Sequence, residues 1–177
     1  MYKVLEPRYY LSTIIFLLAV LLTILIPGGP IETRSFSHID ASILVIFNIF
    51  LTFLGMSSFI LVLFLLKEIK WSYYLADIFS IFYIGVYLLD LFKIFPTSPD
   101  NMPSLLMIIE IVSTILAILF LLLNRNKKFD NSNNIELNKN YRKYVLITLT
   151  LGIVIVSFAT YSAMKWRKNE KITQIVF

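Results

Sequence analysis

No cysteine occurs in this chain of 177 residues, and histidine occurs once. Without sulfur there is no disulfide exchange, thiolate zinc site, catalytic thiol or iron–sulfur cluster. One histidine falls short of the usual zinc set, so no metal site is expected and no cofactor is indicated. The zincin H-E-x-x-H, the nucleophile elbow G-x-S-x-G, the P-loop and the dinucleotide fingerprint are also missing, and the sequence leans away from an enzyme. Charge is scarce as well. Asp, Glu, Lys and Arg make up 15% of the chain, against roughly 25% in an average soluble domain.

What fills the space is apolar. Hydrophobic residues make up 58% of the chain, mean hydropathy is +0.80, and too few solvating groups remain to cover a water-soluble globule. The net charge of +5 does not point to nucleic acid, because most basic residues flank apolar stretches, where membrane topology places them. The lipid bilayer is the expected partner, and residues 1–177 read as one membrane domain.

A helix crosses a hydrocarbon core of about 30 Å with roughly 17 to 25 apolar residues. Five segments meet or approach this: 9–26, 41–66, 71–95, 104–123 and 144–164. The first stops at Pro27-Gly28-Gly29-Pro30, a run that cannot continue a helix. That segment has the basic flank of a signal peptide, but no small-x-small cleavage pattern follows, so it is read as a span. The second is uncharged, with Asp40 positioned as its N-cap. The third holds Asp77, Asp90 and Lys93, the fourth holds Glu110, and the fifth ends at Lys165-Trp166-Arg167-Lys168. The expected architecture is all-α, a polytopic bundle of five transmembrane helices. A four-span alternative leaves the last segment uncrossed.

Basic residues set the sides. Ten of the sixteen fall on the N-terminal side, at Lys3, Arg8, Lys67, Lys70 and in the loop 124–143; six fall opposite, four of those in the tail. The positive-inside bias therefore puts the N-terminus in the cytoplasm of a multi-pass cell-membrane protein, with connections 27–40 and 96–103 on the outer face. The basic tail opposes this assignment. Loop 124–143 carries seven asparagines and six basic residues, the composition of a mobile cytoplasmic loop.

Polar residues inside spans mark where chemistry can sit. Asn48, Asp90 and Glu110 all fall about 9 to 11 Å below the outer boundary at 1.5 Å per residue. They are expected to face one another around a polar chamber. On the third span Tyr73, Asp77, Ser80, Tyr83, Tyr87 and Asp90 share an arc of about 140°. Asp77, Tyr83 and Tyr87 form its inner polar face, and Lys93 can pair with Asp90 along the helix. Two proline-stiffened connections cover the chamber with Glu32, Arg34, His38, Asp40 and Asp100. Arg34 can pair with Glu32 or Asp40, or hold an anionic group. His38 can serve acid–base work with a neighbouring carboxylate. Gly152, Ala159 and Ala163 line the fifth segment with small side chains, which suit close helix packing, internally or against a partner or second copy.

Three functions fit. The leading one is a binding or accessory subunit with a polar site open to the outer face. The second is a transporter or channel for an ion, proton or small solute using Asp90 and Glu110. The third is an enzyme acting on lipid or peptide at the outer leaflet through Asp90, Glu110, His38 and Arg34. Because the chain is cysteine-free, single introduced thiols report the sides directly. His38→Cys should react with a membrane-impermeant maleimide added to intact cells, and Lys127→Cys only after permeabilisation; the opposite pattern inverts the assigned topology.

Overall fold

The computed structural model describes residues 6–25, 31–36, 38–125 and 150. Over these the chain forms four helices: α1 (Pro7–Ile24), α2 (Ala41–Leu66), α3 (Lys70–Leu91) and α4 (Ser104–Arg125). Each is long and apolar enough to span a membrane. At 1.5 Å per residue a helix of 22 residues reaches about 33 Å, the thickness of a hydrocarbon core. Among the described residues the chain is all-helical, with four such helices against the five expected over the full length, and it is a multi-pass membrane protein. The fifth expected span, 144–164, with Gly152, Ala159 and Ala163, lies outside the described residues apart from Thr150, as does the basic stretch 126–143.

Local chemistry sets the helix ends. Pro7 opens α1 at a position where its missing N–H costs nothing. Asp40 caps α2, its side chain accepting a 2.8 Å hydrogen bond from the Ser42 N–H. The α2 and α3 helices stop alike. Glu68 and Lys93 take left-handed backbone, with φ of 55° and 56°. Beyond them the Ile69 and Ile94 N–H groups reach back to the Phe64 and Leu89 carbonyls. This is the Schellman closure, built here without the usual glycine. It ends α3 at Leu91, short of the expected Phe95, and Lys93 lies exposed beyond the helix. Lys93 therefore does not extend the helical ladder to pair with Asp90, whose carboxylate has another partner.

The bundle is a ring in which α1 packs chiefly on α2, α3 chiefly on α4, and α1 meets α4. Leu11, Ile15, Leu18 and Leu22 recur on one face of α1 at helical spacing and fill the centre with Leu54, Leu61 and Leu65 of α2. The faces of α3 and α4 are inside out by the standards of a soluble protein. Buried on α4 are Leu106, Glu110, Ser113, Ala117, Phe120 and Asn124, while Ile108, Ile111, Val112, Ile115 and Ile118 are exposed. That distribution suits lipid outside and polar contacts within.

Residues 31–36 and 38–40 of the first connection meet connection 92–103 at one end of the bundle. Asp100 accepts a 2.7 Å bond from the Ser35 N–H, and the Ser98 hydroxyl donates to the Ser35 carbonyl at 3.0 Å. Phe95 packs edge-on against Phe47 of α2, with ring centroids 4.9 Å apart. Left-handed backbone is costly for residues with a Cβ, so Lys93→Gly should raise stability in detergent by up to about 1 kcal/mol and Lys93→Val should lower it. Equal unfolding midpoints for both variants would contradict the left-handed turn.

Candidate functional site

The site is built around Arg34. The guanidinium uses two edges, each against one carboxylate. Nε and Nη2 donate to the Glu32 oxygens at 2.9 and 2.6 Å, and Nη1 and Nη2 donate to the Asp90 oxygens at 2.8 and 2.7 Å. The Arg34 backbone N–H adds a 3.2 Å bond to Glu32, and Phe36 lies beside the guanidinium, its ring centroid 5.3 Å away. The planar fork of arginine matches two carboxylates at once, which a lysine ammonium does not.

Glu110 of α4 completes the group. Its carboxyl lies within hydrogen-bonding reach of Asp90 and feels Arg34 and Glu32, while its Oε2 is buried with no partner among the described residues. Relative exposures are 5% for Glu32, 8% for Arg34, 7% for Asp90 and 3% for Glu110. The cluster is closed over by the chain, not an open chamber. Burial opposes the charge on Arg34, yet the hydrogen bonds and negative charge of Glu32 and Asp90 outweigh it and hold the guanidinium above its ordinary range. A cation raised in the folded state contributes in full at every pH below its unfolded value, so Arg34 stays charged throughout the working range.

Of the residues singled out by sequence, the structure gathers Glu32, Arg34, Asp90 and Glu110. It leaves Asn48, His38 and Asp100 outside. Asn48 is exposed on α2, about 120° round the helix from the buried Leu54 position. His38 is exposed, with its Nε2 3.3 Å from the Thr97 hydroxyl. Asp100 spends its carboxylate on the Ser35 N–H, joining the two connections. Asp40, the other expected partner of Arg34, is occupied as the α2 cap.

A polar seam runs from the cluster along the α3–α4 interface. Tyr87 and Ser113 are neighbours there, and neither completes a hydrogen bond of good geometry among the described residues. The Tyr83 hydroxyl donates to Ser58 of α2 at 3.0 Å, with its ring stacked on Tyr87 at 6.1 Å. At the far end Asn124 donates to Asp77 at 2.8 Å and to the Tyr73 carbonyl at 3.4 Å. Sequence reasoning missed Ser58, Ser113 and Asn124. The spacing of Glu110, Ser113, Ala117 and Asn124 by three, four and seven places them on one face of α4, a signal hidden once that span was ended at Leu123.

Residues 7–141 match the family model described as a domain of unknown function (DUF8051), and the chain belongs to that family. No curated protein and no solved structure matches it. The match contains all four helices and the whole cluster. Removing one member of a buried charge group leaves the others uncompensated, so Arg34→Ala should lower unfolding stability in detergent by about 3 to 5 kcal/mol, with Arg34→Lys between it and wild type. A change in Arg34→Ala within about 0.5 kcal/mol, the scatter of ordinary surface substitutions, would contradict a buried clamp.

Proposed function

We propose that this family member is a small membrane transport protein that takes up a proton or small cation at the Arg34 cluster. The observation that carries the reading is a charge count. Glu32 and Asp90 clamp one guanidinium and Glu110 lies beside Asp90, so the group carries a formal charge of −2 when every carboxyl is ionised. A net charge of this kind, shielded from water and set among membrane helices, is costly. One positive charge taken from solution relieves it, and an unpartnered oxygen of Glu110 is positioned to receive that charge. Ionisable groups that persist within spans are associated with ion and proton pathways. On the orientation expected from the basic residues, the cluster faces the exterior.

A second reading, a binding or accessory subunit, has its own support. The two connections are stitched into one cap through Ser35, Ser98 and Asp100, which gives the loop end a fixed shape for a partner to meet. An enzyme at the outer leaflet finds less, because the His38 ring meets the Thr97 hydroxyl rather than a carboxylate.

The test is flux in liposomes holding the purified full-length protein, with proton, sodium and potassium gradients imposed in turn. Wild type should exceed empty liposomes for at least one cation. Glu110→Gln should cut that flux by about tenfold or more, equivalent to about 1.4 kcal/mol on the barrier. Flux indistinguishable from empty liposomes for all three cations removes the transport reading and leaves the accessory one.

A further inference from the structure

We propose that the α3–α4 seam is a hydrated proton path joining the Arg34 cluster to Asp77 at the opposite end of the bundle. The inference rests on the transport reading and names the species and the route.

Five buried side-chain atoms on α3 and α4 have no hydrogen-bond partner among the described residues: Tyr87 Oη and Ser80 Oγ on α3, and Glu110 Oε2, Ser113 Oγ and Asn124 Oδ1 on α4. Each would cost about 1 to 3 kcal/mol if left unpaired. Native interiors resolve such groups with buried water, which needs two to four polar neighbours. Scattered orphans would suggest local imperfections; a run of them between two packed helices marks a common occupant.

The spacing fits water. Asp90, Tyr87, Tyr83, Ser80 and Asp77 follow one another on α3 at intervals of three, four, three and three residues. These intervals rise about 4.5, 6, 4.5 and 4.5 Å, and the whole run about 20 Å. Two hydrogen bonds through one water span about 5.5 Å. The α4 side and α2 supply further oxygens at Ser113 and Ser58, and Ser58 already accepts from Tyr83.

The seam suits a proton and excludes a hydrated ion. At mid-bundle Ser58, Tyr83, Ala117 and Phe120 are fully buried and closely packed. The charged groups facing the path stand at its ends: Glu32, Arg34, Asp90 and Glu110 at one, Asp77 at the other. The α2 span and the part of α1 beyond Arg8 contain no charged residue, so among the described residues no fixed charge stands midway to trap or repel the proton. Transfer balances at every step. A proton from solution forms an O–H bond on the Glu110 carboxylate. Each hop then makes one O–H bond on the next oxygen and breaks one on the last, and hydroxyls and waters regain their composition after reorientation. Asp77 receives the final proton and releases it to water at its own end.

The experiment uses the full chain in liposomes with a trapped pH dye, the membrane potential clamped with valinomycin and potassium. Ser80→Ala and Tyr87→Phe, which remove hydroxyls and little volume, should each lower proton flux by about tenfold, or about 1.4 kcal/mol on the barrier. Sodium flux should be absent from wild type. A parallel infrared measurement in D₂O reads the buried carboxyl C=O band assigned by its loss in Glu110→Gln. That band should shift by deuterium exchange within the folded protein. Proton flux unchanged in both variants, or sodium flux through wild type, overturns the proton path while the transport reading stands. A carboxyl band that resists exchange also overturns it. Absence of flux for every cation removes the transport reading itself, and the path with it.

Discussion

A single guanidinium clamped between two buried carboxylates ties the connection before α2 to the end of α3. The rest of the structure depends on this contact. Arg34 and Asp90 are 56 positions apart in sequence, and their double hydrogen bond draws a loop down onto the bundle. Once the loop is there, Ser35 meets Asp100 and Ser98, and the two connections become one cap. Buried ion pairs are poor sources of net stability, because desolvation offsets much of the attraction. What they supply is geometry, since an arginine fork accepts carboxylates in few orientations.

The same constraint leaves a remainder. Arg34 is saturated by Glu32 and Asp90, so Glu110 has a carboxyl without a cationic partner of its own. Below it the inward face of α3 carries Tyr87, Tyr83, Ser80 and Asp77, and α4 adds Ser113 and Asn124 on either side of the apolar Ala117 and Phe120. A bundle held by packing alone could fill that face with Leu and Ala. Hydroxyls and carboxyls in their place argue for work done inside the membrane, and the proposed proton traffic is the work their spacing suits best.

Much of the fold was legible from composition and run length. Four of the spans emerge nearly at their observed bounds, because a charge-free stretch of membrane length has few other uses. The polar arc of α3 was also readable, since 100° per residue places Tyr83, Tyr87 and Asp90 together whatever surrounds them. Helix ends were less so. The stop at Lys93 is a backbone event with no glycine to announce it. Among candidate site residues, matched depth grouped Asp90 with Glu110 but also drew in Asn48, because depth ignores rotation about the helix axis. The Arg34–Asp90 contact was beyond reach for another reason. Two loop carboxylates, Glu32 and Asp40, were nearer in sequence, and only the path of the connection decides between near and distant partners. Asn124 was assigned to the loop by its polarity, where its role is to hold Asp77.

The most direct test of the clamp is a double-mutant cycle between Arg34 and Asp90, using Arg34→Met, Asp90→Leu and the pair, read as unfolding free energy of the full chain in detergent. Removing both charges restores balance that either change alone destroys, so the account predicts a coupling of about 1 to 3 kcal/mol, the double variant standing well above the sum of the singles. Single effects that add within about 0.5 kcal/mol would show that the two residues do not meet, and would contradict it.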